Sequence, residues 1–166
     1  NCRLQGNTNR YSAVTEPPLS ALFFSLLLLL VLSAFFSGSE TALMTINRYR
    51  LRHLADHGHR GARLAQALLE RPDRLIGLVL LGNNFVNILA SSLATIIALR
   101  IGGDNAIAIA AGLLTMVILI FAEVTPKTLA ALDPERIAYP AAYVYTPLIK
   151  VFSPLVWSVS IIANNL

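Results

Sequence analysis

The sequence predicts an all-α membrane protein, with three transmembrane helices, amphipathic and interfacial helices beside them, and no β-sheet. Composition is the first observation behind that expectation. Apolar residues make up 55% of the 166-residue chain and charged residues 13%, whereas soluble domains average about 45–50% and about 25%. The second is arrangement: the apolar residues fall into three or four runs long enough to cross a bilayer. The third is charge placement. Seven of the thirteen Lys and Arg, and all three His, lie between Arg48 and Arg74, flanked by two apolar runs; such a cluster marks a cytoplasmic loop. Basic residues on a polar fold would point to nucleic acid, but a net charge of +4 gathered in one loop does not. The expected partner is the lipid bilayer. The length fits one domain, the lone Cys2 allows no internal disulfide, and Asn1 in place of Met reads as the start of a fragment.

Residues 1–18 read as a flexible, non-cytoplasmic leader, polar and aperiodic as far as Glu16 and closed by Pro17-Pro18. The prolines suit the first turn of a helix, where a missing N–H leaves no bond unmade. The first span, Leu19–Phe36, would extend about 27 Å. A signal peptide is disfavoured because no basic segment precedes the run and no clear cleavage site follows it. Phe36-Ser37-Gly38-Ser39-Glu40 then reads as a polar break at membrane depth. Residues 41–71 form a basic amphipathic helix, with Leu43, Ile46, Leu51, Leu54, Leu64 and Leu68 on its apolar face. Its arginines can snorkel toward headgroup phosphates, and Gly58 and Gly61 divide it in two.

Leu75–Leu99 is the second span, and the glycine-rich connection 101–105 folds it back on a third, 106–123, which ends at Glu123. With the basic loop inside, the N-terminus and the 101–105 turn lie outside, and the chain returns to the cytoplasm at Glu123–Lys127. The stretch 137–166 is long enough to cross, but Pro140, Pro147 and Pro154 recur every seven residues among interfacial Tyr, Lys and Trp. Bent helices along the inner interface, with a cytoplasmic C-terminus, are the preferred reading. A fourth span with the C-terminus outside is the alternative.

Three polar clusters interrupt the apolar runs. Ser33 and Ser37 share a face four residues apart, and Gly38 permits the backbone to unwind and present carbonyls. Helix packing alone accounts for Ser33; for Ser37-Gly38 a functional role is preferred, with Glu40 beside them. On the second span Asn83, Asn87, Ser91 and Thr95 form an i+4 stripe, with Asn84 next to it. Amides in hydrocarbon are costly unless satisfied. Interhelical hydrogen bonds of about 0.6–2 kcal/mol explain one or two such residues better than three asparagines within five positions. Glu123 closes the third span; it either pairs with Lys127 four residues on or acts as a charged ligand. These groups are all oxygen donors, with no Cys or His in the spans, so Zn²⁺, Cu and Fe are poorly served and Mg²⁺, Ca²⁺ or Na⁺ suit them. One carboxylate leaves such a site weak enough to release its ion.

The motifs FSGSETAL (36–43), GNNFVN (82–87) and EVTPK (123–127) resemble, in order and spacing, the membrane domain of the CorB/CorC/CNNM magnesium transporters, from about Leu19 onward. The resemblance implies a homodimer, three transmembrane helices and a juxtamembrane helical belt (133–166) in the cell (inner) membrane. It also implies a Mg²⁺ site. Carried over by motif, Ser37, Gly38, Asn83, Asn87 and Glu123 would be its ligands. Ser33, Asn84, Glu40 and Ser91 rank lower, and Pro126 would turn the chain from span three into the belt. Family members continue into cytoplasmic CBS domains that bind ATP, whereas this sequence stops at Leu166, so nucleotide regulation is not expected within it. The function implied is Mg²⁺ transport, outward and with Na⁺ as candidate coupling ion. The alternative is a non-conducting Mg²⁺ sensor or scaffold that regulates another transporter. An enzyme is not expected: His53, His57 and His59 read as surface residues and pair with no serine at a common depth.

Overall fold

A computed structural model describes residues 17–164, with Asn105 and 153–164 described as backbone only. The expected leader therefore lies outside the described residues except for Pro17 and Pro18. Every element among the described residues is helical. Three helical stretches are long and apolar enough to cross a membrane, Leu19–Thr45, Pro72–Gly102 and Ala106–Leu132.

Helix α1 (Leu19–Thr45) starts after Pro18, whose extended backbone forms the N-cap. It runs through Ser37-Gly38 without a break, so the expected interruption of the backbone does not occur. Two features explain the continuity. The Ser39 hydroxyl bonds back to the Phe35 and Phe36 carbonyls at 2.6 and 3.1 Å, within the helix. Gly38, which costs a helix about 1 kcal/mol in propensity, is used for close approach to a neighbour, described below.

The amphipathic segment expected over 41–71 is the end of α1 followed by two short helices, α2 (Arg48–Asp56) and α3 (Arg60–Leu69). Asn47 separates α1 from α2 because its side chain accepts the N–H groups of Tyr49 and Arg50 at 3.0 and 3.2 Å, which makes it a helix start. Gly58, at φ +90°, turns the chain between α2 and α3. His59 caps α3 through its Nδ1, which accepts the Ala62 N–H at 3.1 Å. Gly61 does not divide anything; it lies inside α3, where a Cβ would stand 3.0 Å from Tyr139 Cβ.

Helix α4 (Pro72–Gly102) carries the second span and ends at Gly103, whose φ of +64° folds the chain into α5 (Asp104–Val117). A seven-residue π-helical segment (Ile118–Val124) follows, then α6 (Thr125–Leu132). Pro126 was expected to turn the chain into the belt, yet helical geometry continues through it; Val124 and Thr125 keep ordinary helical angles. A proline lacks the N–H for an i−4 bond and its ring crowds the i−4 carbonyl. The wider π register just upstream is where that mismatch is absorbed. The chain leaves the helical path at Asp133 instead (φ −140°, ψ 74°).

Helix α7 (Pro134–Asn164) is one helix, not the series of bent helices expected from its prolines. Seven residues are nearly two turns, so Pro140 and Pro147 share a face, and both are exposed. The backbone bonds they forfeit lie on that outer side, away from the packed face.

The core sits at one end of the spans. It joins Ala42, Leu43 and Leu75 at the ends of α1 and α4 to Ala62 and Ala65 of α3 and to Ala138 and Ala141 of α7. Elsewhere the spans expose large apolar side chains, among them Phe24, Ile88, Ile109 and Leu113, as lipid-facing helices do. Among the described residues Tyr145 of α7 is the largest fully buried side chain. Its ring lies 5.9 and 6.1 Å from those of Phe35 and Phe36, and its hydroxyl shares a hydrogen bond with Ser39. Burial, reinforced by the Glu40 charge and opposed by the Ser39 bond, pushes its phenol up to about 12.

Removal of this ring is expected to cost about 3–5 kcal/mol in Tyr145→Ala, against about 1 kcal/mol for the lost hydrogen bond in Tyr145→Phe, both read from unfolding in detergent. The raised pKa sets the sign of the pH dependence. The contribution of neutral Tyr145 is complete below the ordinary tyrosine pKa of about 10 and is lost as pH rises toward about 12. Stability measured between pH 9 and 12 should therefore fall less steeply in Tyr145→Phe than in the unaltered protein.

Candidate cation site

Helix α1 is packed on α4 and on the π segment and α6, and polar side chains meet along these contacts. Ser33 is buried at 1% exposure. Its Oγ lies 3.1 Å from Asn83 Oδ1 and 2.8 Å from Asn87 Oδ1. The i+4 spacing of the two asparagines puts both amides on the α4 face toward α1. Three oxygens thus converge with a single hydroxyl proton among them. A hydroxyl donates one hydrogen bond at a time, so with the amides placed this way Ser33 satisfies one Oδ1 and leaves the other as a free acceptor beside it, a place a cation can occupy.

One turn along α1, the Ser37 hydroxyl is buried and has no hydrogen-bond partner. Buried polar atoms are nearly always paired, so this hydroxyl is a second polar group on the same face of α1 that its neighbours leave unsatisfied. Its own carbonyl accepts the Thr41 hydroxyl at 3.3 Å. The sequence ranked Ser33 as packing; in the structure it is the residue that joins the two asparagines.

Two glycines set the helix spacing. A Cβ on Gly82 would stand 2.8 Å from Phe36 Cε1 and Cζ, beside Asn83. A Cβ on Gly38 would stand 3.2 Å from Pro126 Cβ and 3.3 Å from its carbonyl oxygen. Gly38 is thus a place of close approach between helices, in continuous helix and not in unwound backbone. Small residues serve this purpose in membranes, where close backbone packing stands in for the hydrophobic force.

Glu123 is half-buried on the π segment. Neither it nor Lys127 makes a hydrogen bond or ion pair among the described residues, so the expected alternative of a Glu123–Lys127 pair is not what the structure shows. The π segment was not foreseen; Pro126 was its only signal. Asn84 is exposed, a residue away from the face that carries Asn83 and Asn87, and does not join the cluster. Glu40 is half-buried below it, near Tyr145. Ser91 continues the stripe away from Asn87 and, with Thr95 and Thr115, lines a cavity of about 110 Å³ between α4 and α5. The threonine hydroxyls there donate to Ser91 O and Ala111 O at 2.9 and 2.8 Å.

A family model described as the cyclin M transmembrane N-terminal domain matches residues 24–166. The chain belongs to this family. Among relatives of the cyclin M domain, the UPF0053 inner membrane protein YfjD of Escherichia coli (strain K12) is 57% identical over 135 residues, covering 81% of the chain and 32% of that protein. A UPF0053 protein of Haemophilus influenzae is 50% identical over 149 residues, 90% of the chain and 36% of that protein. A protein of Salmonella typhimurium named polyamine export protein is 28% identical over 165 residues, 86% of the chain and 35% of that protein. The chain spans about a third of the length of these relatives. Three apolar helices and this kinship make it a multi-pass inner-membrane protein.

The Gly38–Pro126 contact yields a graded expectation. Gly38→Ala needs the neighbour to yield by a few tenths of an ångström and should be tolerated. Gly38→Val adds two methyls against the Pro126 backbone and should destabilise the domain by about 1–3 kcal/mol. Thermal unfolding of both variants in detergent would test this; equal midpoints would mean that α1 and α6 are not packed as described.

Proposed function

We propose that this cyclin M domain transports Mg²⁺ through the site between α1, α4 and the π segment, with Ser33, Ser37, Asn83, Asn87 and Glu123 as the working groups. The observation that carries the reading is the surplus of lone pairs at Ser33, Asn83 and Asn87. Mg²⁺ takes oxygens at about 2.0–2.1 Å in an octahedron, whose adjacent oxygens stand about 3.0 Å apart. Separations of 2.8 and 3.1 Å are near that edge length before any ion arrives. Glu123 would supply the one charge, which favours release. Ser91, Thr95 and Thr115 would continue the route outward.

Topology with the basic loop inside and the N-terminus outside, outward direction, Na⁺ as coupling ion and a homodimeric assembly all belong to this proposal and rest on the charge distribution or on family kinship. Absence of enzymatic activity is part of it too. A second substrate reading comes from the relatives named polyamine export protein, since a polyamine is also a cation. A second class of reading is a Mg²⁺ sensor that binds without conducting.

Flux assays on the full-length protein in liposomes separate these. Mg²⁺ flux should fall at least about tenfold, the equivalent of one charged contact of about 1.4 kcal/mol, in Glu123→Ala and in Asn83→Ala. Flux equal to that of the unaltered protein in both variants would refute the site. Calorimetric Mg²⁺ binding without flux would replace transport with sensing, and spermidine flux without Mg²⁺ flux would replace the substrate.

A further inference from the structure

The strongest charge concentration in the molecule lies apart from this site. Between Arg48 and Arg74, seven arginines face only Asp56, Glu70 and Asp73, so this short segment holds a charge equal to the net +4 of the whole sequence. Part of that charge is structured into a groove. Between α2 and α3, Arg48, Arg52 and Gln66 stand around a floor of Leu51 and Leu69, with Glu70 at the rim, enclosing about 180 Å³. Leu51 and Leu69 are buried at 2% and 5% exposure, so the floor is apolar and fixed.

The two guanidinium groups are available. Arg50, between them in sequence, is engaged with Glu135 of α7 at 3.0 Å. Arg48 and Arg52 make no ion pair among the described residues, not even with Glu70. Arg48 Nη1 donates to the Leu69 carbonyl at 3.4 Å, which holds its head across the groove. Arg52 lies four residues on, one turn along the same face.

Depth in the membrane identifies the occupant. Helices α1 and α4 have 27 and 31 residues, about 40 and 46 Å, which reaches through the hydrocarbon into the headgroup layer of a bilayer about 40–45 Å thick. Arg48 follows the end of α1 by three residues and Glu70 precedes the start of α4 by two. The groove thus opens where lipid phosphates lie. A cationic rim over an apolar floor matches an amphiphile, phosphate above and glycerol ester below, better than it matches a free anion.

We propose that the α2–α3 groove is a binding site for the headgroup of an anionic phospholipid, with Arg48 and Arg52 on the phosphate and Gln66 as a hydrogen-bond donor. It is independent of the Mg²⁺ reading, since no group in it belongs to the cation site. The test uses the full-length protein in neutral detergent, titrated with phosphatidylglycerol, phosphatidylcholine or inorganic phosphate, and reads the thermal unfolding midpoint and the lipid retained in native mass spectra.

Phosphatidylglycerol should raise the midpoint and be retained, and phosphatidylcholine should do neither. Arg52→Gln removes a side chain with no partner among the described residues, so folding should be unaffected, and should weaken phosphatidylglycerol binding about fivefold. Arg48→Gln/Arg52→Gln should abolish it, whereas Arg63→Gln, outside the groove, should retain it. Three results would overturn the proposal: equal responses to the two lipids, unchanged binding in Arg52→Gln, or a full response to inorganic phosphate to which phosphatidylglycerol adds nothing. The last would make the groove a site for free phosphate.

Discussion

Everything at the candidate cation site depends on how closely α1 approaches its neighbours. In lipid no hydrophobic force draws two helices together, so their spacing is set by the size of what lies between them. Gly82 accepts the Phe36 ring with no room for a further carbon, and Gly38 accepts Pro126 so closely that one more carbon fits only if the neighbour yields by a few tenths of an ångström. The first contact lies one residue from Asn83 and three from Ser33. The second lies one residue from Ser37 and joins α1 to the helix that continues from Glu123. Larger side chains at either glycine would part the helices and leave each polar group buried alone, at the cost of an unsatisfied amide or hydroxyl.

Packing is distributed unevenly to match. Alanines of α3 and α7, with Leu43, Leu75 and Tyr145, make a dense layer at the end of the spans that carries the basic helices. At the opposite end a groove of about 490 Å³ separates α1, α4 and α5 and is lined by Phe23, Leu26, Ile97 and Ile109. The same helices are therefore clamped on one side of the polar cluster and loosely joined on the other. Close-packed interiors transmit displacement and resist deformation, while gaps accommodate it. The cluster sits at the boundary between the two regimes.

Much of the architecture was legible because lipid imposes simple rules on sequence. Uninterrupted apolar runs, a basic loop between them and a Gly-Gly turn each have one structural reading, and all three spans follow. What was misread has a common cause: a polar or glycine residue at membrane depth can mean broken backbone or tight packing, and sequence alone does not separate the two. Ser37-Gly38 was taken as a break and is continuous helix. Ser33 was set aside as packing because its partners, Asn83 and Asn87, lie about fifty residues away with no local pattern to link them. The π segment leaves no periodic signature in seven apolar-rich residues, and a single proline is compatible with a kink, an end or a change of register. In α7 the seven-residue proline spacing, read as three breaks, places Pro140 and Pro147 on one exposed face that a helix tolerates.

The nature of the cargo turns on how the oxygens are grouped. A polyamine carries its charge on ammonium groups separated by methylene chains, and each ammonium offers directed N–H donors. Its recognition calls for carboxylates spaced along a channel with apolar walls between them. In this domain two amide oxygens converge within 3.1 Å of a shared hydroxyl, and the nearby elements contribute Glu123 as the carboxylate on the π segment. Converging oxygens with little charge suit a small, hard, strongly hydrated ion that exchanges part of its water shell for protein oxygens and keeps the rest. A site with several carboxylates would hold such an ion too tightly to pass it on. The proposed reading as a Mg²⁺ site rests on this grouping of oxygens at one point, and the choice of Mg²⁺ among the hard cations rests on the resemblance carried by the sequence motifs.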